Sequence, residues 1–165
     1  MRFDALRNGD SVFIDANIFI YNFGGQSAEC KDVLLRCAKG ELRGITSTFI
    51  IAEVLHRLMV AEAIEKKFIT DKNPVKQLKE HAEIIKKLST YIHDVEKIGD
   101  MNLEVLELTY DCIKTSAAVR RSEGILTNDS LVAAAMKDIG VSNLLTNDDD
   151  FDRIEWLHIY KPSDV

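Results

Sequence analysis

Short β-favouring apolar runs alternate with one-sided helical stretches along this chain, and that alternation limits the fold more than any other feature. Ser11 to Ile14 is a strand candidate, and the apolar segment Ala16 to Tyr21 turns into a short helix. Ser27 to Lys39 places Cys30, Val33, Leu34, Cys37 and Ala38 on one helical face, with Gly40 as the stop. Leu42 to Thr46 is a second strand. The helix after it carries Ile51, Val54, Leu55, Leu58 and Met59 as its stripe, with Thr46, Ser47 and Thr48 as candidate caps. Asn73-Pro74 restarts the chain for a helix to about Leu88, so 66–90 reads as a charged helical elaboration. Tyr91 to Glu96 is the third expected strand, followed by helices over about Asn102 to Cys112 and Ile113 to Arg121. Leu131 to Ile139 forms a short helix closed by Gly140, and Asn143 to Leu145 and Leu157 to Tyr160 complete the strands. Such an order predicts an α/β layer fold around a mostly parallel sheet.

With 165 residues the chain is expected to form one domain with a core of its own. An apolar fraction of 46% against 29% charged excludes a disordered chain. Asp4, Asp10 and Asp15 interrupt the first twenty residues, which argues against a signal peptide or membrane span and for a cytoplasmic protein. Cys30, Cys37 and Cys112 are an odd set without C-x-x-C spacing and read as free thiols. A net charge of −6 has the wrong sign for binding nucleic acid by bulk attraction and counts against nonspecific binding. Residues 57–90 nevertheless hold eight Lys/Arg against five acids, a pattern that fits a solvated helix face or a phosphate-binding one.

Asp15, Glu53, Asp129 and Asp148 each fall where a strand ends or a helix begins. Ligands in open parallel sheets bind at the carboxyl ends of the strands, so these four positions can converge on one edge. Each acid alone has a blander reading: Asp15 and Asp129 as helix caps, Glu53 as a partner of the helix dipole, Asp148 as a turn residue. Four together are costly, because clustered carboxylates repel and raise one another's pKa unless a divalent cation sits among them. Oxygen donors without histidine or thiolate spacing favour Mg²⁺ or Mn²⁺ over zinc. His56, His81, His93 and His158 show no metal-binding spacing.

The segments Phe13-Ile14-Asp15-Ala16-Asn17, Ser47-Thr48-Phe49-Ile50-Ile51-Ala52-Glu53-Val54, Asn128-Asp129-Ser130-Leu131-Val132-Ala133-Ala134-Ala135 and Leu145-Thr146-Asn147-Asp148-Asp149-Asp150-Phe151 together resemble the signature of PIN-domain ribonucleases. The resemblance runs from Val12 to about Ile159 and is closest to the VapC-type toxins, from whose compact members the charged stretch 66–90 departs. It implies a three-layer α/β/α sandwich and a metal-dependent endoribonuclease with Asp15, Glu53, Asp129 and Asp148 as its acidic quartet. By the same resemblance Asp150 is a further acid of the site, Asn17 orients Asp15, and Ser47 and Thr146 bond the carboxylates or a water. RNA would be the substrate, Mg²⁺ or Mn²⁺ the cofactor, a homodimer the assembly, and an antitoxin protein the cognate partner. Lys66, Lys67, Arg120 and Arg121 are candidates for guiding the RNA. The alternatives are a PIN nuclease of RNA processing and a catalytically inactive scaffold for RNA or protein. A phosphatase with an aspartate nucleophile is disfavoured, because Asn17 stands where a second acid would be needed.

Overall fold

The computed structural model describes residues 1–165. In chain order the elements are β1 (Ser11–Ile14), α1 (Ala16–Phe23), α2 (Ala28–Ala38), β2 (Arg43–Ser47), α3 (Thr48–Glu65), α4 (Pro74–Glu80), α5 (Ala82–Ile85) and α6 (Thr90–Glu96). They continue with β3 (Glu104–Leu106), α7 (Tyr110–Glu123), α8 (Thr127–Asp138), β4 (Asn143–Leu145) and β5 (His158–Tyr160). The five strands form one sheet in the order β3-β2-β1-β4-β5, and every pairing is parallel. Helices cover both faces, so the architecture is an α/β/α sandwich. That is why the central strand reads as an unbroken apolar run: Val12, Phe13 and Ile14 are all fully buried.

β1 lies between β2 and β4, and the direction in which strands are added to the sheet reverses between β1 and β4. Such a switch point opens a crevice beyond the carboxyl ends of the two strands. Ile14 pairs with Leu145 and Phe13 with Ile45, so Asp15, Ser47 and Thr146 emerge side by side at this edge.

Three expectations need correction. Tyr91 to Glu96 is helical, as α6, and the third strand is Glu104–Leu106, inside the stretch expected to be helix. The reason lies in Glu62, an acid on α3 only 5% exposed, whose carboxylate accepts the backbone N–H groups of Ser89 and Tyr91 at 3.1 and 2.9 Å. It caps the first turn of α6 from another helix, and Tyr91 and Val95, at helical spacing, turn onto the core. The buried row of α3 is Ile50, Val54 and Leu58, whereas Leu55 is exposed. Residues 66–90 form two short helices broken at His81 rather than one. Their apolar side chains are not idle: Ile69, Leu78 and Leu88 bury themselves against Ala63 in a small second cluster at the far end of α3.

Candidate active site

The site begins with a buried network between the ends of β1 and β4. Asp15 follows β1, and its Oδ1 accepts the N–H of Ala16 at 2.7 Å, capping α1. Its Oδ2 accepts the Thr146 hydroxyl at 2.7 Å and the Asn17 side-chain amide at 2.9 Å. Thr146 Oγ1 in turn accepts from Asn17 Nδ2 and from the backbone N–H of Asp148, and Asn17 Oδ1 accepts the N–H of Asn147. Asp15 therefore caps α1 through one carboxylate oxygen while Thr146 and Asn17 hold the other. Burial pushes its pKa up to about 6 against the lowering by the Thr146 and Ala16 hydrogen bonds, and the charges of Glu53 and Asp148 add to the rise.

Asp148 starts the turn after β4, where its Oδ1 accepts the N–H of Asp150 at 2.9 Å. Asp129 is not an N-cap. Leu126 holds that position, and α8 begins at Thr127, four residues before the start expected from Leu131, which sets Asp129 within its first turn. Burial raises its pKa, as do the charges of Asp148, Asp150 and Glu53, against the backbone amide of Leu126. Glu53 stands beside the buried row of α3 and meets Arg57, one turn on, at 3.6 Å. Asp129, Asp148 and Asp150 line one cleft, and the charges of Glu53 and Asp148 act on both Asp15 and Asp129.

Their charges are treated differently. Asp149 and Asp152 share Lys161, Asp150 pairs with Arg153, and Glu53 pairs with Arg57. Asp15, Asp129 and Asp148 have no cationic partner within ion-pair distance. Ser47, beside Asp15 at the end of β2, is 1% exposed and its hydroxyl has no hydrogen-bond partner, although Ser47 holds the N-cap position of α3. No three acids, histidines or cysteines close into a ready-made cation cage. An oxygen-only donor set, three unneutralised carboxylates and an orphaned buried hydroxyl nevertheless fit a hydrated divalent cation, which keeps several waters of its own.

Two clefts flank Asp148 and Asp150. One, of about 410 Å³, is lined also by Asn17, Tyr21, Arg57, Asn147 and Asp149. The other, of about 430 Å³, is lined by Leu126, Thr127, Asn128 and Asp129. Tyr21 and Arg57 were not among the residues singled out from the sequence. A signal for Arg57 was present, since it lies one helical turn after Glu53. Of the basic residues expected to guide RNA, Lys66 pairs with buried Glu62, and Arg120 donates to Ser116 and Ser130, so both are engaged within the fold.

Residues 12–157 match the family model of the PIN domain. The chain is 26% identical over 152 residues to Ribonuclease VapC2 of Methanocaldococcus jannaschii, a match covering 91% of this chain and 93% of that protein. Among solved structures it is similar to VapBC2 from Rickettsia felis bound to a DNA fragment from their promoter, with a TM-score of 0.57 and 17% identity over 93% of this chain and 99% of that one. A toxin-antitoxin complex from Klebsiella pneumoniae gives a TM-score of 0.57 and 16% identity, with the same coverage. At these identities the two structures establish a shared fold.

Proposed function

We propose that this chain, which belongs to the PIN-domain family, is a divalent-metal-dependent endoribonuclease of the VapC type, with Asp15, Glu53, Asp129 and Asp148 as its site acids. The observation that carries this reading is that Asp15 and Asp148 follow the two strands at the switch point and Asp129 lines a cleft with Asp148, none of the three with a basic side chain at ion-pair distance, while burial raises the pKa of Asp15 and Asp129. Carboxylates held like this need a positive charge among them before a polyanion can approach.

Asp15, Asp129 and Asp148 would hold Mg²⁺ or Mn²⁺, with Glu53 reaching the ion through water. Bound there, the cation would acidify a water molecule and neutralise charge building on the phosphate. The remaining work belongs to the chain. Thr146 and Asn17 fix the Asp15 carboxylate in one orientation from behind. Glu53, on a helix that brings it beside the others, is the candidate to orient the attacking water and take its proton. The Ser47 hydroxyl is free to donate to a carboxylate or a water at this edge.

As the toxin of a toxin–antitoxin pair the protein would act as a homodimer in the cytoplasm and be silenced by a cognate antitoxin, a reading supported by the similarity to Ribonuclease VapC2 over nearly the whole of both chains. No helix is long and apolar enough to cross a membrane. The test is incubation of a mixed RNA pool with the purified protein and Mg²⁺ or Mn²⁺, beside an Asp148→Asn variant. Cleavage by the wild type that stops on chelation and is lost in the variant supports the proposal. RNA left intact with either ion overturns it and favours a scaffold.

A further inference from the structure

One cation in this acidic setting stands out. Arg57 is the only basic residue lining either cleft, and it reaches the site from the same helix face as Glu53. Its contact to Glu53 at 3.6 Å is long, with about half of the Arg57 side chain exposed, and such a screened pair holds weakly. Glu53 is also the acid that an incoming divalent cation would compete for. Once Glu53 turns to that ion or its water, the guanidinium is left facing the cleft without its ion-pair partner.

Beside Asp148, Asp149 and Asp150, that cleft holds groups able to meet a nucleotide. Tyr21 lines it, and its hydroxyl accepts the side-chain amide of Asn147 at 3.2 Å, so an aromatic ring and an amide are fixed together. Asn17 and Asn147 add neutral polar groups, and Asp149 is already matched by Lys161. Across Asp148 the second cleft has no basic residue, and exposed Leu126 forms part of its lining. The two clefts thus differ in kind although they share Asp148 and Asp150.

We propose that the cleft of Tyr21, Arg57 and Asn147 is a subsite for the nucleotide adjoining the scissile bond, with Arg57 gripping the phosphate next to the one that is cut. This rests on the endoribonuclease reading and deepens it by assigning opposite roles to the two clefts. Arg57 anchors the strand by a planar, charge-assisted contact to phosphate, and the pair Tyr21 and Asn147 meets the attached nucleoside. The second cleft accepts its nucleotide without a phosphate anchor. Arg57 thereby has two successive partners, Glu53 before the substrate arrives and a phosphate afterwards.

The experiment uses the full chain carrying Asp15→Asn to prevent cleavage, with a fluorescein-labelled single-stranded RNA and anisotropy measured at several salt concentrations. Adding Arg57→Gln should weaken binding about tenfold and lower the slope of log affinity against log salt by about 0.7, the value for one phosphate contact to a single strand. Arg57→Lys should keep the slope. Melting temperatures of the variants establish that each is folded. In the cleaving enzyme, Arg57→Gln should lower the ratio of hydrolysis of an oligonucleotide with a phosphate adjoining the scissile one to that of a dinucleotide lacking it by about tenfold. An unchanged salt slope, or equal loss on both substrates, overturns the subsite while leaving the nuclease reading intact. Absence of both RNA binding and cleavage in the protein with its native Asp15 and Arg57 overturns the two together.

Discussion

Thr146 donates its hydroxyl to Asp15 at 2.7 Å across 131 positions of sequence, and that one bond ties the end of β4 to the end of β1. Both side chains are buried, and the hydroxyl also accepts from Asn17 and the Asp148 backbone. Thr146→Val keeps the shape but takes one of three donors from the Asp15 carboxylate, one of two acceptors from the Asn17 amide, and the acceptor of the Asp148 N–H. We expect a loss of about 1–3 kcal/mol in stability, the usual cost of buried polar groups left unpaired. The same change removes an interaction that holds the Asp15 pKa down, so the acid limb of the pH–rate profile should move to higher pH. Denaturant melts and pH–rate curves of the variant check both effects.

The titration of Asp15 sets a second expectation. Its folded pKa of about 6 lies above its ordinary 3.8, so protonation is favoured by folding. In the metal-free protein this contribution is complete below the unfolded value and disappears as pH rises through about 6. A divalent cation needs the ionised carboxylate, so below pH 6 it must displace a proton and its affinity should fall about tenfold per pH unit. Melting temperatures in EDTA and in Mn²⁺ at pH 5 and pH 7.5 should therefore diverge more at the higher pH.

Glu62 should behave in the opposite sense. Burial opposes its ionisation, but the Lys66 ammonium and the N–H groups of Tyr91, Ser89 and Thr90 outweigh it and hold the pKa down to about 2. Its stabilising effect is present above the ordinary 4.5 and is lost as pH falls towards 2. Glu62→Gln leaves a half-paired lysine and weaker capping of α6, so we expect about 2–4 kcal/mol of destabilisation near neutral pH. Acid melts should show a smaller pH dependence in the variant. Cleavage at low temperature should be retained, since the buried cluster of Ile69, Leu78 and Leu88 lies at the other end of α3 from Glu53.

Much of this was readable from the sequence because the signals are local. Strand β1 ends at an acid, and Asp15 and Asp148 both sit just beyond a short apolar run that can only be a buried strand. The failures were non-local. Tyr91 to Glu96 is rich enough in β-favouring residues to read as a strand, but Glu62, 29 positions before Tyr91, caps it as a helix and Tyr91 and Val95 pack on the core. Val105 was absorbed into an expected helix because a three-residue edge strand has too few positions to show an alternation. Arg57 belongs to a basic stretch in sequence, whereas helical spacing places it with Glu53.

Gly44 tests the packing of β2. A Cβ built there would come within 2.5 Å of Leu103 Cδ2 and 2.8 Å of Cys37 Sγ, both inside the core between sheet and helix. Leucine can yield, but Cys37 is fixed in α2 and fully buried. Gly44→Ala should cost about 1–3 kcal/mol, as overpacking does, with the melting curve remaining a single transition.

The acids at the switch point are proposed to hold a divalent cation, and the most direct measurement is a titration of Mn²⁺ followed by its electron paramagnetic resonance signal. At pH 7.5 the wild-type chain should bind Mn²⁺, and Asp15→Asn should weaken that binding at least tenfold while staying folded, because asparagine can still cap α1. Equal Mn²⁺ binding by the two proteins, or none by the wild type, would contradict that proposal.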